Sequence, residues 1–134
     1  MNRKVRWGIL GYAGIAQKHV IPAMKAAENA QAYAIASRSR TKLGQAVEAF
    51  GFEKVYESYD KLLEDPEIDA VYIPLPNSLH KEWALRAAKK GKHVLCEKPL
   101  AMTYEDCEEL EETFKKNRVL LMEAFMYRFL KKKK

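Results

Sequence analysis

Short apolar runs alternate along this chain with stretches whose apolar residues recur at helical spacing. Val5–Leu10 (VRWGIL) reads as a strand. Ile15–Ala27 after it carries a helix period, with Pro22 either bending that helix or breaking it. Ala30–Ser37 (AQAYAIAS) alternates as a strand does, and Thr41–Phe50 is helical, with Gly51 at its C-terminal stop. Val55–Tyr56 is a minimal strand, and a short helix follows over Tyr59–Glu64. Ala70–Ile73 (AVYI) is a buried strand. Ser78–Lys90 is an amphipathic helix with Trp83, Leu85 and Ala88 toward one side, closed by Gly91. His93–Cys96 is the next strand, Thr103–Asn117 a charged helix and Val119–Phe125 a last strand. In the charged helix Thr103 is the expected N-cap, Glu105, Asp106, Glu108 and Glu109 favour the positive end, and Lys115 and Lys116 the other.

Strands and helices that alternate throughout predict an α/β fold. The expectation is a doubly wound parallel sheet of about six strands, with helices on both faces and right-handed crossovers. At 134 residues the chain is long enough for one domain with a real core. The pattern assigns residues 1–130 to that domain and 131–134 to a lysine tail. The apolar run from Val119 to Leu130 leaves Phe125, Met126, Tyr127, Phe129 and Leu130 with no following element to cover them. The expectation is a sticky C-terminal strand, able to pair copies of the chain, and a second domain that the chain lacks.

Composition narrows the function classes. Hydrophobic residues make up 48% and charged ones 31%, as in a soluble globular protein. No stretch approaches the ~20 apolar residues of a membrane span, and the N-terminus has no signal-peptide pattern, so the expected location is the cytoplasm. The net charge of +6 is dominated by the terminal KKKK, a solvated tail or an expression remnant. No basic face interleaved with aromatics points to nucleic acid. Cys96 and Cys107 lie in differently patterned segments with no paired spacing, which fits reduced thiols. His19 and His93 have no partner pattern, and no metal is assigned.

The turn after the first strand carries the first candidate chemistry. A dinucleotide turn reads G-x-G-x-x-G; here Gly11 holds the first place, and Ala13 and Ala16 stand at the second and third. The first glycine makes the tight turn, the second admits the pyrophosphate, and the third lets helix pack on strand. Ala16 is small enough for the third role. Ala13 adds a methyl where backbone must come close, and Gly14 beside it restores freedom. An ordinary strand-turn-helix connection reads the same way, but the place at the head of a βαβ unit favours an anion site at the helix start. Gly11, Tyr12, Ala13, Gly14, Ile15 and Ala16 are therefore candidate cofactor contacts, Tyr12 and Ala13 through backbone alone.

At the end of the second strand, where an NAD site places an acid for the ribose hydroxyls, the chain has ASRSR. Ser37 and Arg38, with Arg40 and Lys42 beside them, favour a 2′-phosphate and hence NADP(H), with NAD(H) the alternative. A basic loop facing solvent is the plain reading of the same residues.

The segments VRWGILGYAGIA, PLPNSLH (Pro74–His80), GKHVLCEKPLAMT (Gly91–Thr103) and LLMEAFMYRF occur in order. Together they resemble the N-terminal domain of the Gfo/Idh/MocA oxidoreductase family, over the whole chain except the lysine tail. Glu97-Lys98-Pro99 resembles that family's E-K-P signature, and Pro76-Asn77 with His80 its P-N-x-x-H segment. The resemblance implies a Rossmann domain that works with a second, substrate-binding α/β domain. It implies hydride transfer between NADP(H) or NAD(H) and a sugar, polyol or dihydrodiol. Lys98 is then the catalytic residue, near the nicotinamide and the substrate oxygen. Pro74, Leu75, Asn77, His80 and Glu97 join the cofactor contacts, with His80 bonding a ribose or a loop carbonyl, or merely capping its helix. Glu97 holds the loop or the ribose and pairs with Lys98, while Pro99 fixes the turn with a cis or trans bond. Cys96 packs. A chain with this domain alone is expected to bind cofactor without full activity. The alternatives are a stand-alone nucleotide-binding or self-associating module, or an engineered Rossmann scaffold.

Overall fold

The computed structural model describes residues 3–98 and 103–124. The strands are β1 (Val5–Leu10), β2 (Ala30–Ala36), β3 (Lys54–Tyr56), β4 (Ala70–Ile73), β5 (His93–Glu97) and β6 (Leu121–Ala124). The helices are α1 (Ile21–Ala26), α2 (Arg40–Phe50), α3 (Tyr59–Leu63), α4 (His80–Lys89) and α5 (Tyr104–Lys116). All strands pair in parallel in the order β3-β2-β1-β4-β5-β6. The chain works outward from β1 in one direction and then from β4 in the other, so the winding reverses between these two central strands. This is the doubly wound six-stranded sheet that the alternation predicts.

The sheet divides the core in two. Val20, Ile21 and Met24 before and within α1, and Leu43 and Ala46 of α2, pack on Ile9, Ile35 and Tyr72. Leu62 and Leu63 of α3, Trp83, Ala84, Ala87 and Ala88 of α4, and Leu110 and Phe114 of α5 pack on Leu10, Ala34, Val71, Ile73 and Val94. Alternate residues of one strand thus feed opposite faces, the period of two that strands impose. β2 breaks its own alternation. Trp7 pairs with Ala32 and Gly8 with Ala34, so Tyr33 is an inserted bulge residue and joins Ala34 on the same face.

Local signals end the helices where the sequence places them. Ser39, Ser58 and Thr103 cap α2, α3 and α5 by accepting the amides of Lys42, Lys61 and Asp106. Gly51 closes α2 with φ +70°, in the left-handed region that glycine reaches without strain. Most boundaries shift from expectation by a residue or two, and two of the differences have a local cause. β2 ends at Ala36 because the Ser37 hydroxyl accepts the Ser39 amide at 3.1 Å and turns the chain. Pro22 does not end the first helix. The helix runs on from Gly14, widens to a π turn over Ala16–Val20, and continues as α1 with Pro22 in its first turn. The Ile21 amide reaches back to the Ala16 carbonyl, so one extra residue takes up the break in bonding that a proline without N–H creates. The last strand is shorter than expected, Leu121–Ala124, and Phe125 to Lys134, with the lysine tail and the expected sticky run, lie outside the described residues. No described helix is long and apolar enough to cross a membrane.

The amino ends of the strands are fastened by charge. Lys92 is buried, and its ammonium donates to the carbonyls of Asp65 at 2.7 Å and Ile68 at 2.8 Å. The Asp65 carboxylate accepts the Tyr56 hydroxyl and the Glu67 amide, and Asp69 accepts the Arg6 amide and the Arg3 guanidinium. Burial works to raise both carboxyls, but these hydrogen bonds and the neighbouring cations outweigh it and hold both below 3.8.

Two outcomes are expected. A Cβ on Gly8 would lie 2.7 Å from Leu62 Cδ2, on a fully buried side chain that would have to shift, and 3.3 Å from Ile68 Cδ1. Gly8→Ala should therefore cost about 1–3 kcal/mol in urea unfolding, and an unchanged midpoint would contradict this packing. Ionised Asp65 and Asp69 stabilise the fold above their ordinary value of 3.8, and that contribution disappears as pH falls through their lower folded values. Asp69→Asn should flatten the acid limb of a stability-against-pH curve; a limb of unchanged steepness counts against the Asp69 bonds.

Candidate functional site

Four connections leave the carboxyl ends of β1, β2, β4 and β5 along one edge of the sheet, around the crevice at the reversal of winding. Ligands of open α/β sheets bind in this crevice. The turn after β1 starts at Gly11, whose φ of +101° only glycine adopts freely. Its amide donates to the Ala36 carbonyl at 2.8 Å, which ties the turn to the end of β2. A Cβ there would come within 3.3 Å of Leu75 Cδ2 and 3.7 Å of the Tyr59 hydroxyl. Tyr12 is buried, with its ring edge-on to Phe50 at 6.3 Å, so its side chain leaves the turn and its backbone remains there. Ala16 is fully buried against the sheet, while Gly14 is exposed, with open space where a Cβ would stand.

These facts test the fit of a dinucleotide. At the start of the helix the Gln17 amide donates to the Ala13 carbonyl at 3.0 Å, and the amides before it have no preceding turn to bond. Beside them, a Cβ on Gly14 would meet nothing within 4 Å. An anion therefore meets backbone donors, the positive end of a helix dipole and room for approach. The methyl of Ala16 is absorbed in packing, and that of Ala13 stands at a half-exposed position beside the open one. The residues present fit a diphosphate. Sequence reasoning missed Gln17, whose side-chain amide donates to the Tyr12 carbonyl at 3.0 Å and braces the turn from inside.

After β2, Ser37 is buried and engaged with the loop, and Arg38 and Lys42 are exposed. The Arg38 guanidinium lies 5.8 Å from the centre of the Tyr59 ring, and no described carboxylate pairs with it. Arg40 differs: Glu57 holds it at 2.9 Å. Of the basic cluster, Arg38 faces the Tyr59–Gly11 side of the crevice, and Arg40 is spent on an ion pair.

After β4, Pro74 is half-buried, Leu75 buried, and Pro76 and Asn77 exposed at a 3-10 turn over Asn77–Leu79. Of the roles open to His80, the structure places it on a loop carbonyl. The ring is 1% exposed, and its Nε2 donates to the Leu75 carbonyl at 2.6 Å. It does not cap α4, whose N-cap is Leu79 with no side-chain bond.

At the end of β5, Glu97 is half-buried and accepts the Tyr72 hydroxyl from β4, and Lys98 follows it, exposed. The partner of Glu97 seen here is thus Tyr72, which sequence reasoning did not single out. Burial and the adjacent carboxylate push the Tyr72 hydroxyl far up, so it stays a donor. Burial also pushes the Cys96 thiol up to about 12, which suits packing and not nucleophilic attack. Pro99 lies outside the described residues. His93 accepts the Leu120 amide at 2.9 Å, and no described group of three or more His, Cys, Asp or Glu could hold a metal ion.

A parallel sheet reversed between its first and fourth strands, with a positive-φ glycine turn at the reversal, is a Rossmann-type dinucleotide fold. Comparison with known proteins agrees. A family model described as an oxidoreductase family with an NAD-binding Rossmann fold matches residues 5–125, and the chain belongs to that family, the Gfo/Idh/MocA oxidoreductases. It is 51% identical over 124 residues to an uncharacterised oxidoreductase of Rhizobium meliloti, covering 92% of this chain and 37% of that protein. It is 49% identical to a D-xylose 1-dehydrogenase (NADP(+)) of Haloferax volcanii, over 92% of this chain and 38% of the relative. Among solved structures, a 3-ketoreductase from Actinomadura kijaniata in complex with NADP and TDP-benzene superposes with TM-score 0.89 at 43% identity. That match covers 93% of this chain and 38% of the other. An apo scyllo-inositol dehydrogenase from Lactobacillus casei superposes with TM-score 0.86 at 27% identity, over 96% and 39%. The chain thus spans well under half the length of the relatives it matches.

His80→Leu should remove the donor to the Leu75 carbonyl and cost about 1–3 kcal/mol in thermal or urea unfolding. Wild-type stability in that variant would show that the bond is not needed to hold the loop.

Proposed function

We propose that this chain binds NADP(H), in preference to NAD(H), along the carboxyl edge of its sheet, and that the protein it represents is an oxidoreductase of sugars or polyols. The observation that carries the reading is the placement of the Gly11 turn, the Ser37–Arg38 loop, the Pro74–Asn77 loop and the Glu97–Lys98 end of β5 along one carboxyl edge of the sheet, with the Gly11 turn at the reversal of winding. Backbone amides of the Gly11–Ala16 segment hold the diphosphate. Ser37, Arg38 and Lys42 receive the 2′-phosphate, with Arg38 the principal cation because its guanidinium has no described carboxylate partner and a planar fork that matches phosphate. Pro74, Leu75 and Asn77 line the ribose and nicotinamide end. His80 supports that loop from below through the Leu75 carbonyl.

When bound, the nicotinamide donates or accepts the hydride. Lys98 then acts at the substrate oxygen. Its ammonium donates a hydrogen bond where alkoxide charge develops, and it can pass a proton to that oxygen. Glu97, fixed by Tyr72, sets the end of β5 from which Lys98 departs. The substrate is a carbonyl or secondary alcohol of a sugar, polyol or dihydrodiol. The relatives named as a xylose dehydrogenase and a 3-ketoreductase support that class.

Fluorescence and calorimetric titration with NADPH and NADH provide the test. NADPH should bind more tightly than NADH. Loss of a charge-assisted contact in Arg38→Ala should weaken NADPH by about tenfold or more and leave NADH nearly unchanged. A folded sample that binds neither coenzyme overturns the reading.

A further inference from the structure

Arg38 alone is a poor specificity device. It is exposed, and a long side chain loses up to about 2 kcal/mol of rotamer freedom when it is held. The structure supplies something to hold it. Its guanidinium lies over the Tyr59 ring at 5.8 Å, within cation–π range. Tyr59 is itself fixed. It opens α3, directly after the Ser58 cap, and its ring stands edge-on to Trp83 of α4 at 5.2 Å and 88°. On its other side the Tyr59 hydroxyl is 3.7 Å from where a Gly11 Cβ would stand, so one ring touches both the diphosphate turn and the Arg38 loop.

We propose that Tyr59 is a specificity-determining positioning residue: an aromatic platform, braced by Trp83, that holds Arg38 ready for a 2′-phosphate. This rests on the nicotinamide-dinucleotide reading above. A guanidinium laid on a ring keeps the N–H donors of its edge free, so the platform orients Arg38 without occupying the donors a phosphate needs. The ring makes no comparable demand on NADH, which carries a hydroxyl in that place. Tyr59 should therefore govern the ratio of the two affinities and not binding in general.

The test is a double-mutant cycle on the full chain, with NADPH and NADH titrated by fluorescence and folding checked by near-ultraviolet circular dichroism. Tyr59→Leu should weaken NADPH by about two- to fivefold and leave NADH within error. Tyr59→Phe, which keeps the platform, should retain the wild-type ratio. In an Arg38→Ala background, Tyr59→Leu should change the ratio no further. If Tyr59→Leu does not fold, Tyr59→Met takes its place in the cycle. A ratio that responds to Arg38→Ala but not to loss of the ring overturns this proposal and leaves the cofactor reading standing. Equal weakening of both coenzymes also overturns it, because it marks a merely structural ring. A ratio indifferent to Arg38→Ala removes the 2′-phosphate reading and the platform together.

Discussion

The approach of the turn after β1 to the turn after β4 is the constraint on which the rest of the crevice depends. A Cβ on Gly11 would come within 3.3 Å of a Leu75 methyl group, and its φ of +101° strains any other residue in any case. The two turns belong to opposite halves of the winding, so their contact closes the floor of the space that the reversal opens. From Leu75 the constraint passes to His80 through the carbonyl bond, and His80 is the first residue of α4. Trp83, one turn further along α4, braces Tyr59, and Tyr59 returns to Gly11 on one side and Arg38 on the other. A chain of neighbours thus runs from Gly11 through Leu75, His80, Trp83 and Tyr59 to Arg38.

The two ends of the sheet do different work. At the amino ends of the strands, Lys92, Asp65 and Asp69 satisfy loop carbonyls and amides with buried or half-buried charge. Breaking one member of such a set leaves the others desolvated and unmatched, so this end favours a single arrangement of the α3–β4 connection. At the carboxyl ends the donors are the early amides of a helix and exposed cations, which are open to a ligand. Buried charge and exposed donors are thus separated by the length of a strand.

Tyr72 joins the two halves of the site. It is buried on the face that carries α1 and α2, and its hydroxyl reaches across to Glu97 on β5. The bond fixes the last residue of β5 relative to β4, and with it the point where the Glu97-Lys98 loop leaves the sheet. The carboxylate is thereby engaged within the sheet.

The sequence by itself determined what depends on neighbours in the chain. Alternation of apolar residues located the strands, Thr103, Gly51 and Gly91 marked helix ends, and Gly11 with the E-K-P and P-N-x-x-H segments marked the loops of the site. These signals are local: a cap bonds an amide three residues away, and a positive φ is a property of one residue. Tertiary structure decided the partners. The Tyr33 bulge follows from pairing with β1, and Lys92 and His80 find carbonyls in other connections. Tyr59 and Tyr72 gain their places only when α3 meets α4 and β4 meets β5. Aromatic rings and long cations carry no period or spacing that names a partner. Their roles are set by which surfaces the folded sheet brings within a few ångströms, and that is decided by packing the whole chain.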